Sequence, residues 1–175
     1  MKIYSLGDKK PKISEKSYIF EDVTIIGDVE IEENVNIWPG AVIRGDFDKI
    51  YIGKNCNVQE NSIFHNDYNT PIILEENITI GHGVILHGCY IEKNCIIGMG
   101  TTILDNTRIP KNCIVGANSL VTRKSKLEEG SLILGSPAKS IRKLTQEEIK
   151  HIEKNYKEYL ELSKKYKKEL IKETK

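Results

Sequence analysis

In two long runs of this sequence an aliphatic side chain returns at every sixth position: Ile13, Ile19, Ile25, Ile31, Ile37, Ile43, and later Ile91, Ile97, Ile103, Ile109, Val115, Val121. Four residues after each aliphatic comes a smaller one: Ser17, Val23, Val29, Val35 and Ala41 in the first run, Cys95, Thr101, Thr107, Cys113 and Ser119 in the second. A period of six matches neither the 3.6 of a helix nor the 2 of a half-buried strand. It is the hexapeptide repeat of a parallel β-helix, in which each repeat lays one short strand and three repeats close a triangular coil. The expected fold is therefore mostly β.

The same phase carries Ile52, Val58, Phe64, Leu74, Ile80 and Leu86 between the runs. The register slips after Ile43 and after Phe64, and by a single residue between Leu86 and Ile91; both longer slips fall at one corner, where the third face turns back to the first. A corner loop can bulge without breaking the strand ladders. Counted this way, Ile25, Ile43, Phe64, Leu86 and Ile103 share the third face, and Ile19, Ile37, Val58, Ile80 and Ile97 the second.

This map places the histidines. His65 follows Phe64 and His87 follows Leu86, so both point outward from the third face, one coil and about 5 Å apart. That spacing suits two imidazoles converging on one metal ion. His82 lies around a corner, with Glu60 one coil below it and Gln59 beside Glu60. A neighbouring subunit in a three-fold assembly could bring His82 to the pair. Arg44 lies one coil below His65. The fourth histidine, His151, falls in a C-terminal segment and has no assigned role.

The segments IRGDFDKIYIG, NVQENSIFH, TIGHGVILHGC, IIGMGTTILD and LGSPAKSIRKL together resemble the γ-class carbonic anhydrase family over roughly Tyr18 to Leu144. The resemblance implies a left-handed parallel β-helix, a hand that the period alone does not set. It implies a homotrimer hydrating carbon dioxide to bicarbonate, with zinc (or ferrous iron or cobalt) held by His65 and His87 of one subunit and His82 of the next. By position it makes Arg44 and Asp46 an inter-subunit ion pair and Gln59 the residue orienting the attacking hydroxide. Glu60 stands where Asp is usual. The most active members carry a long acidic loop after the first histidine, whereas this chain has HNDYNTP, leaving Tyr68 or Asp67 as a poor proton relay. Two other classes compete: a hexapeptide acyltransferase or acyl-CoA thioesterase, and a non-catalytic trimeric assembly module.

Residues 1–144 are expected to form the β-helix domain, and residues 145–175 a helix packed on it. Thr145 and Glu148 make a capping box, and Ile149, Ile152, Tyr156, Tyr159, Leu160, Tyr166 and Leu170 form an apolar-aromatic stripe. Cys56, Cys95 and Cys113 fill small-residue positions, and Cys89, close to His87 in HGC, could line the site but reads better as packing. Unpaired cysteines and an N-terminus without an apolar leader suggest a cytoplasmic protein. A net charge of +1 gives no reason to expect nucleic acid, and no apolar run approaches a membrane span.

Overall fold

The computed structural model describes residues 1–173 as a parallel β-solenoid of about seven turns followed by one helix. Its three inward columns are those of the repeat. On the third face Ile25, Ile43, Phe64, Leu86, Ile103 and Val121 pair in parallel register. On the second, Ile19, Ile37, Val58, Ile80, Ile97, Val115 and Ile133 stack in the same way. Ile13, Ile31, Ile52, Leu74, Ile91 and Ile109 make the first. Nearly all these side chains are fully buried in one continuous core. The smaller side chains close the core at most corners, where Val23, Val35, Ala41, Cys95, Thr101 and Cys113 have no exposed surface, and Ile78 fills the same position in one coil.

The corner between the third and first faces absorbs the insertions. The strands Thr24–Ile31 and Val42–Ile52 run through it continuously, which joins both faces into one sheet. A register shift lies between Gly27 and Val29. Gly27 has a φ of 82°, and a Cβ there would sit 2.3 Å from the Gly45 carbonyl oxygen, so the two coils can approach only without a side chain.

A second column, which the aliphatic period does not reveal, runs along another corner. Asn34, Asn55, Asn77, Asn94 and Asn112 all adopt φ between 56° and 61°. Each donates its amide Nδ2 to the Oδ1 of the next, at 3.2, 2.9, 3.0 and 3.2 Å. Asn tolerates the left-handed region better than other side chains, and here its amide also satisfies its neighbours. The signal was present: each of these residues directly precedes a small or aliphatic residue of the inner column.

Ser131–Gly135 ends the second face and folds back as an antiparallel hairpin with Ala138–Lys143. The helix α1 (Gln146–Glu169) then begins at Thr145, with the expected capping box to Glu148. It lies on the second face, against Tyr18–Ile19, Asn36–Ile37 and Asn57–Val58. Trp38 anchors it, with ring centroids 5.7 Å from Tyr159 and 5.0 Å from Tyr166. The Thr79 hydroxyl adds a hydrogen bond to Asn155 Oδ1 at 2.8 Å. Leu170 departs from the expected stripe: it caps the helix in extended backbone and is 55% exposed. No helix among the described residues is long and apolar enough to cross a membrane.

Candidate metal centre

Arg44, His65 and His87 occupy one outward column on adjacent coils of the third face. Strand alternation turns all three away from the core, because Ile43, Phe64 and Leu86 point inward. The imidazoles meet: His65 Nδ1 lies 3.2 Å from His87 Nε2. Each outer ring nitrogen faces a carboxylate. His65 Nε2 is 3.0 Å from Asp46 Oδ1, and His87 Nδ1 is 2.6 Å from Asp105 Oδ1. A carboxylate only accepts, so each ring donates outward and, in its neutral form, keeps a lone pair on its inner nitrogen.

Two lone pairs facing each other at this distance repel unless a cation lies between them. Two nitrogens bound at zinc's usual distance in tetrahedral geometry stand about 3.3 Å apart. The donor set therefore fits a metal ion, with the carboxylate–histidine arrangement that commonly orients metal ligands. Two further groups line this region. Arg44 pairs with the other oxygen of Asp46. Burial acts to raise the Asp46 pKa, but hydrogen bonds from Arg44, a backbone amide and His65 outweigh it and hold the carboxyl below its ordinary value. Asp67 lies near His87 and Asp105, and the three offer oxygen and nitrogen atoms within 4.8 Å of one another.

The remaining expected site residues stand elsewhere in the single chain. His82 occupies the corner between the second and third faces, where its Nδ1 is 2.5 Å from Glu60 Oε2. No hydrogen bond among the described residues links it to His65 or His87. Gln59 is buried on the second face and donates Nε2 to Asn57 Oδ1 at 3.2 Å. Tyr68 is 71% exposed, its ring tilted against Phe47 with centroids 4.6 Å apart, and Phe47 in turn lies 5.6 Å from the His65 ring. Cys89 points inward, and burial drives its thiol far above the usual range, so it offers no ligand here.

Comparison with known proteins gives this geometry a lineage. A family model described as bacterial transferase hexapeptide (six repeats) matches residues 10–45 and 88–123. A carbonic anhydrase of Geobacillus kaustophilus is 44% identical over 165 residues, covering 94% of this chain and 91% of that protein. The chain belongs to the hexapeptide-repeat family related to the γ carbonic anhydrases. Names within this family diverge. The carnitine operon protein CaiE of Escherichia coli O7:K1 is 33% identical over 162 residues, covering 93% of this chain and 83% of its own. A Bacillus cereus crystal structure provisionally described as an acetyltransferase superimposes with a TM-score of 0.92 at 44% identity, covering 94% of this chain and 96% of that one. Membership thus fixes the scaffold and the relationship, and the chemistry must be argued from the side chains.

The six-residue period places His65 beside His87 but does not mark Asp105. Its signal was position: it stands two residues after the third-face Ile103, one coil beyond His87.

Proposed function

We propose that this protein is a carbonic anhydrase-type metalloenzyme that interconverts carbon dioxide and bicarbonate at sites shared between subunits of a homotrimer. The observation that carries this is the pair of inner nitrogens, 3.2 Å apart, whose partner nitrogens are each committed to a carboxylate. His65 and His87 would hold zinc, or ferrous iron or cobalt, with His82 of the neighbouring subunit as third ligand. A bound ion supplies the Lewis acidity that makes water nucleophilic near neutral pH.

The residues divide the remaining work. Gln59 and Glu60 lie beside His82 in the fold and would arrive with it, Gln59 to orient the attacking oxygen and Glu60 to position the site. Asp46, tied to both Arg44 and His65, steadies the ring that faces the ion. Within one chain Arg44 finds its carboxylate partner in its own Asp46, so the pair braces the site even before subunits meet. Tyr68 and Asp67 are the exposed groups that can pass a proton toward solvent. The exposed Ile63, Ile85, Met99 and Leu104 surround the histidine column and support a third face covered by another copy.

Anaerobic purification with metal analysis, paired with stopped-flow carbon dioxide hydration, tests this reading. One ion per chain and chelator-sensitive hydration are expected, faster when imidazole buffer carries the proton. A metal-replete trimer without hydration in any buffer would overturn it. The acetyltransferase description of the Bacillus cereus structure makes acyl-CoA turnover the control assay.

A further inference from the structure

We propose that Asp105 is the positioning residue that sets the tautomer of His87 and thereby keeps the metal centre open. The proposal rests on the metal reading above. The Asp105 carboxylate lies 2.6 Å from His87 Nδ1 and gives that nitrogen's proton its acceptor. In a neutral imidazole only one nitrogen carries the proton. Holding it on Nδ1 leaves Nε2 with a lone pair aimed at His65 Nδ1.

Without Asp105 the proton can move to Nε2. That N–H would then donate to His65 Nδ1 across the same 3.2 Å. The histidines would close on each other as an ordinary hydrogen bond, and an ion would have to break it to enter. Asp105 therefore acts against a specific competitor, the self-paired histidines.

The backbone holds the carboxylate in place. The amide of Asn106, next in sequence, donates to the Gly88 carbonyl at 2.8 Å, and the Gly88 amide donates to the His65 carbonyl at 3.2 Å. This chain of bonds fixes the corner carrying Asp105 to the coil carrying His87. Gly88 supplies the space: a Cβ there would stand 2.5 Å from Asp105 Oδ1 and 2.9 Å from Thr70 Cβ. Its φ of 51° is also one that glycine adopts freely.

The test compares the wild-type trimer with Asp105→Ala and the isosteric Asp105→Asn. Zinc affinity is measured by chelator competition, and the His87 tautomer by nitrogen-15 NMR of the metal-free protein. Asp105→Ala is expected to move the proton from Nδ1 to Nε2 and weaken zinc binding about 10–100-fold. Asp105→Asn keeps the shape with a weaker acceptor and should lose less; it also serves if the alanine variant misfolds. An unchanged His87 tautomer together with wild-type zinc affinity in the folded variant overturns the role of Asp105. A wild-type protein that binds no zinc overturns the metal reading instead, while the tautomer measurement still decides whether Asp105 orients His87.

Discussion

Subunit complementation tests the shared centre directly. His82→Ala removes the ligand expected from the neighbour, and His87→Ala removes one of the pair that meets within a chain. In a homotrimer of either variant every seam is damaged, so zinc retained after passage through chelator should fall close to zero. Equal amounts of the two variants are then unfolded, mixed and refolded. A seam is whole only where a His82→Ala chain, with its histidine pair intact, faces a His87→Ala chain that still offers His82. In a cyclic head-to-tail trimer assembled at random, about half the seams draw the pair from the right chain, and about half of those meet the right neighbour. Mixing should therefore restore about one quarter of wild-type zinc and hydration. The competing arrangement is a site within one chain, for which Asp67, His87 and Asp105 lie close enough together. It predicts that His82→Ala keeps its zinc and that mixing adds nothing beyond the average of the two proteins. That result would refute the seam.

Other expectations concern the scaffold. Asn77 sits mid-ladder with φ of 60° and side-chain hydrogen bonds of 2.9 and 3.0 Å. Asn77→Ala should cost about 2–4 kcal/mol from lost hydrogen bonds and left-handed strain, and Asn77→Gly less, because only the strain is relieved; equal losses in urea unfolding would rule out the strain contribution. Phe64 is fully buried behind His65, so Phe64→Ala should cost about 3–5 kcal/mol and weaken zinc retention as well, read by denaturation and chelator competition. Hydrogen bonds from Lys16 and Lys54 hold Glu33 at about 2, and a bidentate pair from Arg142 holds Glu148 at about 2, both below the usual 4.5. Because the folded values lie below the unfolded ones, this stabilisation is complete above about 4.5 and is lost as pH falls toward 2. Thermal midpoints measured across that window should decline, and a flat profile would contradict the pairing.

The repeat by itself determined the solenoid, the three inward columns, the register of neighbouring coils and the corner that takes the insertions. The reason is that a period of six is written locally, and every coil repeats the same choice of inward aliphatic and small corner residue. Because inward and outward alternate along each strand, it also placed His65 beside His87. The tertiary structure decided what the period leaves free. Corner dihedrals brought Asp105 onto His87, and the asparagines into a ladder through their amides. Rotamers set which nitrogen of each histidine faces the other and turned Arg44 toward its own Asp46. Docking of α1 through Trp38 covered the second face and left Gln59 buried there, bonded to Asn57. A periodic sequence specifies the direction in which a side chain leaves the coil; its partner is settled only when loops, helix and neighbouring coils compete for the same hydrogen bonds.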